Sequence, residues 1–378
     1  MAFSSGICIA TAVAVGAVES CQNLLENTSH AAARVLRLPQ RRAVVPLNGQ
    51  VAIVTGGNAG IGFATARKLA ERGAHVVLAC RSKERGEKAA QELARVAPLP
   101  GCAPPVVEFR ALDLGSLASV RAFARGFNRS GRPLHILVCN AGIMSPPARL
   151  VTSDGHEMQF QVNFLSHFLL SHDLMAEQRR RRRASTARGG GGRGAAPRGG
   201  GQGPDGTRLV LLSSLTHHAG PAQWDDKQSE RGYNPFTSYA LSKMANLMAA
   251  SEFQRRFARN ADRYGGGDSA VSVHPGIVNT SLATGFFEQT GGAGLPWAEA
   301  AAKGAMQHLF PLVLRSPDAS AEDMLVACQA PARRVAGRYL SNGAPSWASA
   351  FAADERRCAD LWELACGLTG VETHESLA

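Results

Sequence analysis

The chain has 378 residues, of which 45% are hydrophobic, enough to bury the core of one large domain or two small ones. Its formal net charge of +11 would suit a nucleic-acid partner, but the excess is concentrated in residues 179–206, with eight arginines against one aspartate, and in residues 1–48, with four arginines against two glutamates. The rest of the chain is close to neutral, which argues against nucleic acid as the partner of the folded domain.

The eight cysteines show no C-x-x-C pair and no other metal-ligand spacing. Several lie inside apolar runs such as VVLAC and ILVCN, where cysteine behaves as a small hydrophobic residue. The sequence therefore predicts a reducing compartment and no bound metal.

Residues 1–18 (MAFSSGICIATAVAVGAV) carry no charge. The stretch is shorter than the about 20 apolar residues that a spanning helix needs, and it lacks the basic start of a cleaved signal. We interpret it as a membrane anchor; the alternative is a helix resting on the domain surface or a transit-type leader. If it spans a membrane, the arginines that follow it favour a cytosolic body, namely Arg34, Arg37, Arg41 and Arg42.

Short β-branched runs alternate with segments of helical spacing from residue 50 onward. The candidate strands are 50–55, 75–79, 106–112, 134–139, 208–214, 270–275 and 337–342. Nearly continuous apolar strands that alternate with helices are typical of a parallel sheet covered on both faces. Residues 48–378 are therefore predicted to form one α/β domain, Rossmann-like and doubly wound, with a seven-stranded parallel sheet and helices on both faces.

Residues 179–206 interrupt this alternation with ten glycines and almost no apolar side chains. Such a segment cannot bury enough surface to offset the entropy of ordering it, so we expect disorder. It falls between a helix that ends near Met175 and a strand that begins near Arg208, where a long surface insertion costs little stability. RNA association through an Arg/Gly-rich segment is one interpretation; an expanded low-complexity loop is the one we favour.

The first strand is followed by TGGNAGIG (55–62), whose glycines are Gly56, Gly60 and Gly62. Glycine lets the backbone turn tightly and approach a pyrophosphate at a helix N-terminus, where N–H groups and the helix dipole attract anions. A glycine-rich loop alone is weak support, but this one lies between a predicted strand and a predicted helix. The pattern predicts a dinucleotide site.

The second strand ends in ACRSKER, which places Arg81 where a dinucleotide fold reads the adenosine ribose. An acidic residue there would accept the 2′-hydroxyl, whereas an arginine accommodates a 2′-phosphate. Arg81, helped by Asn58 and Lys83, therefore predicts NADP(H) rather than NAD. The alternative is a solvated arginine at a strand end.

The chain resembles the short-chain dehydrogenase/reductase family over about residues 48–370, because its TGxxxGxG loop is followed in the family's order by DL (113–114), CNAG (139–142), VNFLSHF, LLSS, YALSK and HPGIVNTSL. The resemblance implies a nicotinamide cofactor. Its contacts would be Gly56, Asn58, Gly60, Ile61, Gly62, Arg81, Asp113, Leu114, Asn140, Ala141, Gly142, Tyr239, Lys243, Pro275, Gly276, Val278 and Thr280.

The resemblance also implies four catalytic residues, Asn163, Ser214, Tyr239 and Lys243. Tyr239 would be the acid/base for hydride transfer between the nicotinamide and an alcohol or carbonyl carbon. Ser214 would hold the substrate oxygen, Lys243 the nicotinamide ribose, and Asn163 a water that leads to solvent. A free tyrosine has a pKa of about 10. We expect Lys243, one helical turn away, to lower the pKa of Tyr239. An attraction between opposite charges about 4 Å apart stabilises the phenolate by roughly 4 kcal/mol at an effective dielectric of about 20.

Some positions leave alternatives open. Ser213 rivals Ser214 as the catalytic serine, and Asn163 could merely cap backbone groups. Cys139 stands where the family has the first asparagine of NNAG, which is expected to loosen a structural hydrogen bond. Ser166 stands where close relatives often have glycine, so a tight helix contact is expected to differ.

The segment after Thr280 corresponds to the family's variable substrate lid. It is apolar here, with Leu282, Phe286, Phe287, Leu295 and Trp297. An apolar lid over the catalytic tyrosine predicts a lipophilic alcohol or carbonyl substrate; the alternative is that these residues only cover the sheet. A helix is then predicted to start with Ser316 as N-cap and Pro317 in its first turn.

The chain is most similar to the retinol-dehydrogenase-like branch of the family. The shared features are the N-terminal apolar stretch, TGGNAGIG, ACRS and S-K-x-A-N. Within that branch it most resembles the X-linked dehydrogenase/reductase (polyprenol dehydrogenase) type, with which it shares PGIVNTSL, GRYL and LWELACGLTGV. The resemblance implies a polyprenoid, retinoid or steroid substrate, an endoplasmic reticulum membrane with the catalytic domain cytosolic, and a homodimer. An organellar or lipid-droplet surface is the alternative location. A catalytically silent NADP-sensing scaffold is the alternative function, beside the RNA association noted above.

Overall fold

One eight-stranded sheet, ordered β3-β2-β1-β4-β5-β6-β7-β8, organises the chain. The computed structural model describes residues 44–188, 206–264, 267–276, 278, 315–372 and 377. The strands are β1 (Val51–Thr55), β2 (His75–Cys80), β3 (Val106–Ala111), β4 (Ile136–Cys139), β5 (Arg208–Leu212), β6 (Ser269–His274), β7 (Tyr339–Ser341) and β8 (Ala344–Pro345). The first seven pair in parallel, which confirms the predicted Rossmann-like sheet.

The eighth strand corrects the predicted strand number. It pairs antiparallel with β7, through Leu340 with Pro345 and Ser341 with Ala344. A strand of two residues, one of them a proline, has no β-branched run and no alternation by which it could be predicted.

Seven longer helices cover the two faces of the sheet: α1 (Gly60–Glu71), α2 (Lys83–Leu93), α3 (Leu117–Arg129), α4 (Ser166–Arg188), α5 (Pro235–Arg259), α6 (Pro317–Gln329) and α7 (Glu355–Thr369). On one face α3, α4, α5 and α7 bury residues such as Phe123, Phe168 and Trp362. On the other face α1, α2 and α6 bury residues such as Leu69 and Met324. The doubly wound arrangement is therefore confirmed.

Two helix starts show why the chain turns where it does. The Asn234 side chain accepts from the first N–H groups of α5, which begins at Pro235. The Ser316 side chain accepts from Ala319 N at the start of α6, with Pro317 in its first turn, as predicted. Because Asn234 caps the helix at this point, α5 presents its first turns at the carboxyl edge of the sheet.

The arginine-rich segment 179–206 is not wholly the disordered insertion that was predicted, because α4 continues through Arg188. The reason is a long-range ion pair: Arg179 lies 3.4 Å from the buried carboxylate of Asp268, and Arg182 contacts both oxygens of that carboxylate at 2.7 and 2.6 Å. Arg179 and Arg182 thus share a carboxylate that lies 86 residues along the chain from Arg182. Amino-acid composition alone does not reveal such a distant partner. Residues 189–205 lie outside the described residues.

Within the described ranges, no helix combines the length and the apolar character needed to cross a membrane. The predicted anchor, residues 1–18, lies outside those ranges.

Candidate active site

Ser214 and Tyr239 meet at the carboxyl edge of the sheet. Ser214 follows β5 and accepts a hydrogen bond from Thr216 N at 3.2 Å. Tyr239 lies in the first turns of α5, where 7% of its surface is exposed, and the Ser214 hydroxyl lies close enough to the phenol to lower its pKa. The rival, Ser213, donates its hydroxyl to the Lys243 carbonyl oxygen at 2.8 Å, so it supports α5.

Lys243 lies one turn further along α5 and is also buried. Its Nζ donates to the Leu212 carbonyl oxygen at 3.3 Å and lies 5.6 Å from the centroid of the Tyr239 ring. Burial raises the pKa of Tyr239 above its ordinary value, and the neighbouring Ser214 hydroxyl offsets only part of that rise. Burial lowers the pKa of Lys243 to about 8. The expectation that Lys243 lowers the phenol pKa is therefore wrong for this site, where desolvation sets the direction of the shift.

Asn163 lies in a short π-helical turn, Gln161–Leu165, that precedes α4. Its Oδ1 accepts from Ile143 N at 2.8 Å, and its Nδ2 donates to Ile143 O and Ser242 Oγ, both at 2.9 Å. The side chain thus ties the loop after β4 to α5, which matches the structural alternative for this residue. Asn163 nevertheless adjoins Lys243: a Cβ placed on Gly142 would lie 3.0 Å from Asn163 Oδ1 and 3.6 Å from Lys243 Nζ.

The glycine-rich loop has the backbone that a dinucleotide cradle requires. Gly56 and Gly60 have positive φ angles of 65° and 55°, which only glycine adopts without strain. A Cβ on Gly62 would lie 2.4 Å from both Asn140 Nδ2 and the Gly56 carbonyl oxygen. The residue before α1, Ala59, has no polar side chain to cap the helix. The N-terminus of α1 is therefore suited to an anion such as a pyrophosphate.

Gly62→Ala is expected to lower the free energy of unfolding by about 1–3 kcal/mol and to prevent dinucleotide binding, because the added methyl meets backbone that cannot move aside. The matched control is Gly126→Ala in α3, where an added Cβ meets nothing within 4 Å. That change should stabilise the helix by roughly 0.5–1 kcal/mol. Urea denaturation of both variants measures the difference; equal effects would contradict the assigned packing.

At the ribose end of the loop, the exposed Arg81 follows β2. Lys83 begins α2, and the backbone of Asn58 contacts the buried Cys80 thiol. After β3, the Asp113 carboxylate accepts from Gly115 N at 2.9 Å, and Leu114 is buried. All of these positions border the carboxyl edges of β1, β2 and β3, where open α/β sheets bind ligands.

Two departures from the family pattern have structural partners. Cys139 Sγ lies 3.6 Å from Ser171 Oγ, so the thiol replaces an amide with a weak polar contact inside the core. Ser166 Oγ donates to the Leu114 carbonyl oxygen at 2.6 Å, which joins α4 to the loop after β3. Asn140 keeps its predicted place, with Nδ2 donating to the Thr55 carbonyl oxygen at 2.9 Å.

At the nicotinamide end, Pro275 and Gly276 follow β6 and are buried, and Val278 pairs with Arg315 in an isolated bridge. Sequence reasoning missed Arg315, which is 7% exposed and contacts Asp323 and Asn342. A Cβ placed on Gly276 would lie 2.5 Å from Arg315 Cδ, so this arginine packs directly against the loop after β6. Its only sequence signal was an arginine at the end of the lid.

The predicted members of the lid and Thr280 lie outside the described residues, so the apolar lid stays a prediction. Ile61 and Ala141 are half-buried beside the glycine-rich loop. A Cβ on Gly56 would lie 3.0 Å from the Cβ of Ala141, so the loop and CNAG pack directly together.

Known proteins provide an independent comparison. The family model described as short chain dehydrogenase matches residues 50–186. Retinol dehydrogenase 11 from Homo sapiens is 34% identical over 330 residues, which are 87% of this chain and 88% of that protein. Polyprenol dehydrogenase from Mus musculus is 36% identical over 326 residues, 86% of this chain and 85% of that protein.

Solved structures share the fold. An uncharacterized protein from Mycobacterium paratuberculosis has a TM-score of 0.58 and 28% identity, over 88% of this chain and 97% of that one. L-sorbose reductase from Gluconobacter frateurii, solved with NADPH and L-sorbose, has a TM-score of 0.53 at 20% identity, over 79% of this chain and 97% of that one, and so shows the fold alone. From its extended identity to the curated relatives, the chain belongs to the short-chain dehydrogenases, in the retinol-dehydrogenase-like branch, and is an oxidoreductase of alcohols and carbonyls that uses a nicotinamide dinucleotide.

Proposed function

We propose that the chain is an NADP(H)-dependent enzyme that interconverts an alcohol and a carbonyl on a lipophilic substrate of the polyprenoid, retinoid or steroid type. The observation that carries the proposal is the buried group of Ser214, Tyr239 and Lys243, which lies at the same edge of the sheet as the glycine-rich loop. A silent scaffold would have no need to bury a phenol and an ammonium side by side.

We propose carbonyl reduction as the reaction of this site. Tyr239 is protonated at neutral pH, so its hydroxyl can donate to the oxygen of a carbonyl substrate. Ser214, beside that phenol, is proposed to hold the same oxygen. The nicotinamide dinucleotide, when bound, supplies the hydride.

Lys243 is the proposed source of the replacement proton. With a pKa of about 8, it holds a proton at neutral pH but releases one more readily than a solvated lysine does. Its neighbour Asn163 borders the same space through Gly142. We propose that these two residues reconnect the phenol to solvent after each turnover.

The rate of carbonyl reduction is expected to fall as the pH rises through about 8, where Lys243 loses its proton. Below that pH the rate should stay level, and above it the rate should drop by about tenfold per pH unit. A pH profile of kcat measures this limb. Lys243→Arg stays charged, so the limb should move to higher pH in that variant. The same limb in both proteins would assign it to another group.

NADP(H) is the proposed cofactor because Arg81 stands exposed directly after β2, where an acidic side chain would favour NAD. Asn58 lies on the facing loop, and Lys83 is 78% exposed at the start of α2. Both are proposed to assist Arg81 with a 2′-phosphate.

The substrate class rests on the relatives and on the sequence of the lid. Relatives that match this chain over most of its length are named for retinol and for polyprenol. Both are long apolar alcohols, which agrees with the apolar side chains predicted for the lid. A screen of NADPH oxidation against retinal, a polyprenal and a ketosteroid tests the class, and NADPH binding without turnover on any of them would favour the scaffold.

We further propose that residues 1–18 attach the enzyme to the endoplasmic reticulum membrane, with the catalytic domain cytosolic. A lipophilic substrate partitions into the bilayer, so attachment would raise its local concentration. Fractionation of cells that express the full chain or residues 19–378 tests this. The truncated protein should lose membrane association and keep its activity on a water-soluble aldehyde; equal association would assign attachment to another surface.

A further inference from the structure

Two fully buried histidines lie directly behind the proposed catalytic residues. His167 follows Asn163 by four residues, and His217 follows Ser214 by three. Both are 0% exposed. A buried imidazole is costly unless its polar atoms are paired, so the partners of these two rings define what they do.

His217 joins the Ser214 backbone to the C-terminal part of the chain. Its Nδ1 lies 2.7 Å from the Ser214 carbonyl oxygen, and its Nε2 accepts from Ser349 N at 3.1 Å. A carbonyl oxygen only accepts and a backbone N–H only donates. His217 is therefore neutral, with its proton on Nδ1.

His167 has the same arrangement. Its Nδ1 lies 2.9 Å from the Asn163 carbonyl oxygen, and its Nε2 lies 2.9 Å from Thr55 Oγ1. That hydroxyl already accepts from Asn140 N at 2.9 Å and from Ala141 N at 3.0 Å. The Asn163 carbonyl oxygen only accepts, which again places the imidazole proton on Nδ1 and leaves Nε2 as an acceptor for the Thr55 hydroxyl. The other acceptor near that hydroxyl, the Val138 carbonyl oxygen, lies farther away at 3.4 Å.

The surroundings keep both rings neutral. Burial lowers the pKa of His167 to about 4, and the nearby Lys243 charge opposes its protonation. Burial lowers the pKa of His217 to about 3, and His218 and His274 act in the same direction. A neutral ring with one donor and one acceptor holds its two partners at fixed positions.

We propose that His167 and His217 are positioning residues. Each donates its Nδ1–H to the backbone carbonyl of one predicted catalytic residue, Asn163 or Ser214. Each also binds a distant part of the chain through Nε2. The inference rests on the proposed function. His167 connects Asn163 to Thr55, the last residue of β1 before the glycine-rich loop. His217 connects Ser214 to Ser349, which caps the short helix Ala350–Ala353. The catalytic geometry is thereby tied to the cofactor loop on one side and to the C-terminal region on the other.

The chain offers a matched control. His135 precedes β4, and its Nδ1 accepts from Val51 N at 2.9 Å, so its proton lies on Nε2. It lies at the amino edge of the sheet, opposite the catalytic residues. His135 is therefore a half-buried structural histidine of the opposite tautomer.

The first test is steady-state kinetics of His217→Leu and His167→Leu, with His217→Asn and His167→Asn as conservative variants. A displacement of about 1 Å at the reacting atoms costs about a hundredfold in rate. We expect the leucine variants to lose about ten- to a hundredfold in kcat while the Kd for NADPH stays unchanged. Asparagine retains an amide donor near the Nδ1 position, so it should restore part of kcat. His135→Leu should lower the midpoint of denaturation without lowering kcat. Unchanged kcat in folded leucine variants would overturn the proposal.

The second test reads the protonation of each ring directly and does not depend on the activity of any variant. In protein labelled with ¹⁵N-histidine, two-bond correlations show which ring nitrogen carries the proton. At neutral pH we expect Nδ1–H for His167 and His217 and Nε2–H for His135, with variants used for assignment. A charged ring or Nε2–H at either position would overturn the proposal. This result is independent of turnover, so failure of the proposed reaction and failure of the positioning role are distinguishable.

Discussion

Tyr239→Phe is expected to lower kcat for carbonyl reduction by about 10³-fold while NADPH binds as tightly as it does to the unchanged protein. The substitution removes one oxygen atom and leaves the ring packed at the start of α5, where only 7% of the tyrosine is exposed. The glycine-rich loop and Arg81 are untouched. Substrate-dependent NADPH oxidation measures the rate, and quenching of protein fluorescence measures binding.

The matched control is Tyr233→Phe, which removes a phenol oxygen from the loop before α5. The Tyr233 hydroxyl donates to the Pro146 carbonyl oxygen at 2.7 Å, so this change should cost about 1 kcal/mol of stability and little activity. Similar losses of kcat in both variants would show that the effect is structural. Retained turnover in Tyr239→Phe would exclude this residue as the proton donor.

Arg81→Asp is expected to reverse the cofactor preference, lowering kcat/KM for NADPH by about 10²–10³-fold and raising it for NADH. The change removes a charged partner of the 2′-phosphate, worth about 1.5–3 kcal/mol, and adds a carboxylate that repels it. The same carboxylate can accept the 2′-hydroxyl of NAD. Because Arg81 is exposed, the fold should be unaffected.

Arg95→Asp is the control for net charge. Arg95 is exposed and lies just beyond the C-terminal end of α2, at the opposite edge of the sheet from Arg81. The ratio of kcat/KM for NADPH and NADH should stay unchanged in this variant. An unchanged ratio in Arg81→Asp as well would assign the cofactor preference to other residues, with Lys83 the first to examine.

The parallel sheet was predictable because β1, β4, β5 and β6 are buried along their whole length. Such strands read as nearly continuous apolar runs. The helix start at Pro317 was likewise marked by local capping chemistry. Features that depend on a few neighbouring residues are therefore readable from the chain.

Features that depend on distant partners were not readable. Within the helical residues 179–188, Arg179 and Arg182 contact Asp268, whose carboxylate also accepts from Thr207 N at 2.8 Å. The environment of Tyr239 was misjudged for a related reason: the spacing to Lys243 shows a nearby charge but not the burial of the phenol, and burial dominates its pKa. The i+4 spacing of Asn163 and His167 was visible, but the third partner, Thr55, lies 112 residues from His167.

The predicted catalytic residues are held by secondary structure and by backbone hydrogen bonds. Ser214 extends from a strand, Tyr239 and Lys243 share one helix, and Asn163 is held by two backbone bonds to Ile143. Residues on rigid elements keep reacting groups within a fraction of an ångström of one geometry. Substrate specificity can then vary in the lid without altering the chemistry.

Transfer of deuterium from NADPH that carries it at both C4 positions of the nicotinamide to a lipophilic aldehyde, followed by mass spectrometry of the alcohol, tests the proposed reaction most directly. The unchanged enzyme is expected to put one deuterium on the carbinol carbon, and Tyr239→Phe is expected to put none above background. An alcohol formed without the label, or the same labelled yield from both proteins, would contradict the assignment of this site as the centre of an NADP(H)-dependent reduction.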